Sequence, residues 1–250
     1  MMKNNQNDKL ILDFVDDYYD MFRFKEHNIY NTEITIQSSI IFKGNSNGTI
    51  FDYKNNYYGN IHMSCEKKEL LVKFENIIFK NFDPSSQHRV GIVTFMSAID
   101  DFQLQFYNCT FINIIVNNLV LHLNPVIIYP VEKPQILYDK CNFFNNTDIG
   151  ISIVHENKYS QYISDIYKYF TIKYTNCDFI DNNVYYEYHN NGYIFENCYF
   201  SNPKIDISYP LFIPYPHSSG VIIKFINSIF DNIYMKKPNP YILADGLDLE

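Results

Sequence analysis

Tyr193-Ile194-Phe195-Glu196-Asn197-Cys198-Tyr199-Phe200-Ser201-Asn202 decides the fold, because five further segments repeat its order of aromatic, spacer, Asn, small residue, spacer, Phe. They are VKFENIIFKN (72–81), LQFYNCTFIN (104–113), ILYDKCNFFN (136–145), IKYTNCDFID (172–181) and IKFINSIFDN (223–232). Within VKFENIIFKN, Val72 and Phe74 point one way and Lys73 and Glu75 the other, the period of two of a strand with one buried face. Asn76 bends the chain, since Asn tolerates left-handed backbone angles better than any residue except Gly. Lys140 takes that corner in the third copy, and Asn81 marks a second corner. Two strands per rung with fixed corners predict a solenoid whose rungs bury their apolar faces on one another.

The corner position recurs at 76, 108, 140, 176, 197 and 227, with 197 following 176 at the shortest interval. That shortest coil reads as strand 177–180, corner at Asn182 and Asn183, strand 184–189, corner 190–192 and strand 193–195. Three strands per coil predict a three-sided solenoid. The expected fold is all-β: one right-handed parallel β-helix of about seven coils, roughly 35 Å long at about 4.8 Å per rung. Phe79, Phe111, Phe143, Phe179, Phe200 and Phe230 are expected to stack in one interior column. Cys109, Cys141, Cys177 and Cys198 share the slot after the corner and predict an inward column of small residues, since Ile77 and Ser228 fill the same slot.

The coils resemble right-handed parallel β-helices of the pectin-lyase-like type, in particular the FxNCxFxNN coils of polymorphic outer-membrane proteins and adhesin-like surface proteins, over roughly 33–233. The resemblance implies a noncatalytic scaffold or glycan-binding adhesion module, part of a larger surface chain, acting on cell-surface or plant-type polysaccharide. It leaves open a polysaccharide lyase or glycoside hydrolase, and an intracellular or viral structural protein. Lyases of this type hold calcium with clustered Asp and use Arg or Lys as base, whereas galacturonases set several Asp near a His. Neither pattern can be traced here. His88-Arg89 and Asp100-Asp101 are the best fragments, and no catalytic residue is assigned.

The remaining chain bounds these readings. Hydrophobic residues make up 46% and aromatics 18% of the 250 residues, enough to exclude disorder and predict one large β domain. With 20 Lys and Arg against 28 Asp and Glu and no basic cluster, nucleic acid and anionic membrane are not expected partners. No CxxC, HExxH, phosphate loop or EF-hand loop occurs, so neither metal nor cofactor is assigned. No run reaches the roughly 18 apolar residues of a membrane span. The first twenty residues lack the apolar core of a secretory signal; a surface location therefore requires a longer precursor, and a cytoplasmic one stays open. Sequons at Asn47, Asn108 and Asn145 add little in so Asn-rich a chain.

Residues 1–28 are expected to form an N-terminal cap, with Ile11, Phe14, Val15, Tyr18 and Phe22 on one face of a short helix; LILDFV reads equally well as a strand. The β-helix is placed at 29–234 and an exit tail at 235–250, leading toward a further domain. Insertions at 124–134, 156–169 and 209–220 gather at one corner, where solenoids carry their binding surfaces. The first and third hold six of the ten prolines. Tyr129, Phe212 and Tyr215 in those two loops are the expected binding residues, through stacking of rings on sugar faces.

Overall fold

The computed structural model describes residues 9–84, 90–97, 99, 101–115, 119–123, 134–147, 151–155, 171–182, 186–188, 192–207, 212–214, 221–235 and 247–249. Sheet one runs through the strands that carry the first half of each repeat: Leu10–Asp13, Ile40–Lys43, Leu70–Glu75, Phe102–Tyr107, Ile136–Asp139, Thr171–Thr175, Gly192–Glu196, Val221–Ile226 and Leu247–Leu249. Sheet two carries the second half: Tyr18–Asp20, Thr49–Asn56, Ile77–Phe82, Thr110–Ile112, Asn142–Phe144, Asp178–Ile180, Tyr199–Ile207 and Ile229–Met235. Sheet three joins Asn31–Ile36, Asn60–Cys65, Val93–Ser97, Leu119–Leu123 and Ile151–His155. Every pairing is parallel, and strands neighbouring in a sheet are one turn apart in the chain. This is a three-sided parallel β-solenoid.

The corners follow from the Asn positions. Asn76, Asn108, Asn176, Asn197 and Asn227 all have φ between 50° and 57°, as does Lys140 at 57°. The second corner repeats this at Asn81, Asn113, Asn145, Asp181 and Asn232. Stacked corners also hydrogen-bond to each other: Asn108 Nδ2 donates to Asn76 Oδ1 (2.8 Å), Asn113 Nδ2 to Asn81 Oδ1 (2.8 Å) and Asn145 Nδ2 to Asn113 Oδ1 (2.7 Å). Asn thus does two jobs, taking the left-handed turn and linking rungs edge to edge. Lys140 takes the turn without an amide and links rungs instead through Nζ, 3.4 Å from the Tyr107 hydroxyl, while Asn176 Nδ2 reaches past it to Asp139 Oδ1 (3.1 Å). The amide nitrogens of two sequons, Asn108 and Asn145, are engaged in these ladders.

Between the sheets lie two aromatic columns. The expected Phe column forms, with successive centroids at 5.2 Å (Phe79–Phe111), 5.0 Å (Phe111–Phe143), 4.7 Å (Phe143–Phe179), 4.6 Å (Phe179–Phe200) and 4.7 Å (Phe200–Phe230). Phe179 is only 4% exposed, which confirms the strand register. On sheet one Phe42, Phe74, Phe106, Tyr138, Tyr174, Phe195 and Phe225 stack in the same way. The columns meet edge to face, as at Phe106–Phe111 (5.7 Å, 68°). Stacked contacts along a column and edge contacts across it satisfy the ring quadrupole in both directions.

Three expectations change. The closed turns number about five rather than seven, because sheet three stays continuous through five strands; beyond them, among the described residues, Tyr186–Tyr188 pairs with Phe212–Pro214 in a separate two-stranded sheet. The expected capping helix through Ile11, Phe14, Val15, Tyr18 and Phe22 does not form: Leu10–Asp13 and Tyr18–Asp20 are strands in register with Ile40–Lys43 and Thr49–Asn56, and among the described residues of this segment the helix is limited to Arg23–Glu26. The physical reason is that Phe14 and Tyr19 extend the interior columns, packing edge-on against Phe51 at 5.0 and 5.5 Å. The 209–220 insertion is not all loop, since it contains the strand Phe212–Pro214.

Candidate functional site

The thiol column is structural. Cys109, Cys141, Cys177 and Cys198 are free and buried, and each Sγ lies near a carbonyl one rung earlier, Cys141 near Phe106 O at 3.3 Å and Cys177 near Tyr138 O at 3.5 Å. Ser228 fills the slot with the same geometry, its hydroxyl donating to Phe195 O (3.1 Å). Burial pushes the Cys141 thiol well above its ordinary value, while at Cys177 burial is outweighed by hydrogen bonds with the neighbouring Cys141 and Cys198, which hold it low. The column therefore packs and hydrogen-bonds.

Of the expected binding residues, Tyr129 and Tyr215 lie outside the described residues. Phe212 stands in the backbone ladder opposite Tyr186. His88, Arg89 and Asp100 also lie outside, while Asp101 uses its backbone oxygen to accept from Glu69 N at 2.8 Å. Among the described residues no three His, Cys, Asp or Glu side chains are grouped to hold a metal ion.

The outer surface carries a feature that the repeat did not signal. Tyr30, just ahead of sheet three, meets Tyr57 and Tyr58 from the next rung, with ring centroids 4.8 Å (Tyr30–Tyr58), 4.9 Å (Tyr57–Tyr58) and 6.2 Å (Tyr30–Tyr57) apart. The planes are 23° to 26° from parallel, so the three rings stack on one another at a rim. Its backbone is fixed. Asn56 Oδ1 accepts from Tyr57 N (2.9 Å) and Tyr58 N (3.3 Å), and Gly59 N donates to Tyr30 O (2.8 Å). Gly59 has φ +74°, and a Cβ there would fall 2.6 Å from the Phe24 ring, so only glycine lets the short helix dock under this corner. Tyr30 is 50% exposed, and its hydrogen bond with Tyr58 raises its phenol above the ordinary value. Lys25 Nζ sits 5.9 Å from the Tyr58 ring centre. The sequence signal is the pair Tyr57-Tyr58 between Asn56 and Gly59, one rung beyond Tyr30.

On the neighbouring sheet, Asp52 is 4% exposed and accepts from Asn81 Nδ2 (2.8 Å), Lys54 N (3.0 Å) and the Tyr18 hydroxyl (3.2 Å), with Lys54 Nζ at 3.1 Å. Burial alone would raise its carboxyl; the Asn81 amide and both Lys54 groups outweigh this and hold it below the usual range. A depressed folded value stabilises the fold above the unfolded carboxylate value of about 3.9, and this contribution is lost as pH falls through the folded value. Asp52→Asn is expected to lower stability near neutral pH by about 1.5 to 3 kcal/mol, the range for a hydrogen bond to a charged group. In urea melts from pH 7 to pH 2, the gap between variant and parent should close below about pH 4. A gap that persists unchanged at pH 2 contradicts the assignment.

No family model, curated protein or solved structure matches this chain. The fold therefore stands on the coordinates, and the pectin-lyase-like likeness stays a resemblance of coil pattern.

Proposed function

We propose that this chain is a noncatalytic β-solenoid scaffold that binds glycan on its outer surface, displayed on a cell surface as part of a larger protein. The observation that carries the reading is the rim of Tyr30, Tyr57 and Tyr58. The stack held on a fixed corner offers its outer ring face, that of the half-exposed Tyr30, to sugar C–H groups, while the hydroxyls and Lys25 supply donors at the edge. Preorganisation matters because little side-chain entropy remains to be lost on binding. The thiol column supports the noncatalytic half, since the best-aligned reactive side chains are spent on packing. Tyr129, Phe212 and Tyr215 remain a second proposed contact set.

A glycan array with the full chain tests this. Parent protein is expected to retain a defined set of glycans, and Tyr58→Ala and Tyr30→Ala each to weaken that binding by at least about tenfold, about 1.4 kcal/mol. Loss on Tyr129→Ala or Tyr215→Ala alone would move the site to the proline-rich loops. Turnover of an acidic glycan, abolished by Asp101→Ala or Arg89→Ala, would overturn the noncatalytic reading.

A further inference from the structure

Sheet three sets a different chemistry side by side on its outward face. His62, Met96 and His122 come from three successive strands, Asn60–Cys65, Val93–Ser97 and Leu119–Leu123. Parallel register puts Met96 directly opposite His122, and His62 diagonally across from Met96, opposite Thr94. The His62 Nε2 and Met96 Sδ atoms are 2.8 Å apart, closer than a relaxed contact to so large an acceptor as sulfur. Met96 is 36% exposed, so solvent reaches the pair.

We propose that His62, Met96 and His122 bind a soft monovalent cation of the copper(I) or silver(I) class. The donor set decides the class. A thioether is a soft, uncharged ligand that favours copper(I) over hard ions, and imidazole suits copper as well. Calcium and magnesium need several oxygen ligands, whereas these three donors are nitrogen and sulfur, with the Glu33 carboxylate opposite His62 in register. Glu33 is placed to offset the charge of a bound monovalent ion from beyond the three donors. Met96 has three rotatable bonds and can swing its sulfur to open the space an ion needs. Asn31 Nδ2 lies 3.4 Å from His62 Nδ1 and donates to Glu33 Oε1 at 3.3 Å, so it fixes the ring beside that carboxylate.

The test uses the full chain labelled with 13C-methyl methionine, which gives six methyl signals, one per Met. Silver(I) is titrated in as a redox-inert probe. The signal missing from Met96→Leu is expected to shift within the first equivalent, and His62→Ala and His122→Ala are each expected to weaken that response at least tenfold. Unchanged positions of the other five signals show that each variant is folded. Zinc(II) at the same concentration should leave the Met96 signal in place. The proposal fails if the Met96 methyl stays unmoved while silver saturates other sites. It also fails if either His variant responds like the parent, or if zinc moves the signal equally.

Discussion

Phe111→Ala is expected to lower the unfolding free energy by about 3 to 5 kcal/mol, the range for truncating a buried Phe that leaves a cavity. The ring is fully buried and sits at the crossing of both aromatic columns, stacked on Phe79 and Phe143 and edge-on to Phe106 and Tyr138. A solenoid cannot close such a gap by sliding, because the backbone ladders above and below fix the rung spacing. Chemical denaturation followed by far-UV circular dichroism measures the loss. Phe230→Ala is the internal comparison: it stands at the end of the column and is 39% exposed, so its cost should be clearly smaller. Equal costs at the two positions would mean that the column does not carry the core.

The second large effect is expected at Asn146, one of three buried asparagines stacked inside the second corner. Its Oδ1 accepts from Ile114 N (2.8 Å), while its Nδ2 donates to Phe111 O (3.0 Å) and Asn182 Oδ1 (3.0 Å). Asn182 continues the chain, donating through Nδ2 to Phe143 O (2.8 Å) and through its backbone N to Asn202 Oδ1 (3.0 Å). Replacing Asn146 with Leu orphans the buried Ile114 N–H and removes one of the donors to the Phe111 carbonyl, which keeps its ladder partner. At about 1 to 3 kcal/mol for the orphaned donor and about 0.5 to 1.5 kcal/mol for the lost bond, the expected loss is about 1.5 to 4.5 kcal/mol. Asn146→Asp keeps an acceptor for Ile114 N but sets a buried carboxylate oxygen against the Phe111 and Asn182 oxygens, so its loss at neutral pH should be at least that of Leu and should shrink as the carboxyl is protonated. Hydrogen exchange at the Ile114 amide should accelerate in the Leu variant; unchanged exchange there would contradict the ladder.

These two sites show what was legible before the structure. Phe111 was, because a strand of period two with a fixed corner determines which side chains face in, and six copies agree on it. In the sequence alone, Asn182 reads as a turn residue. Its burial depends on the residue after the left-handed corner turning inward, which local sequence does not distinguish from an exposed Asn. Sheet three was hardly legible: VTFMS and LVLHL lack the corner Asn and paired Phe, so spacing counted rungs of the first two sheets and overstated the closed turns. The N-terminal strands were ambiguous because LILDFV fits both periods, and only pairing with Ile40–Lys43 resolves them. The tyrosine rim joins Tyr30 to Tyr57 and Tyr58 across one rung, a proximity that exists only once the turn is closed.

The claim beneath all of this is that equivalent residues of successive repeats lie directly on top of one another. Ring-to-ring nuclear Overhauser contacts in Phe-labelled protein test it most directly, with Phe111 and Phe143 assigned by their Leu variants. Their centroids are 5.0 Å apart with planes 6° from parallel. The account predicts a strong cross-peak between these rings, lost in either variant, and the equivalent contact between Phe143 and Phe179. A well-resolved spectrum with no contact between Phe111 and Phe143, or with Phe111 in contact with Phe179 instead, would contradict the solenoid and its register.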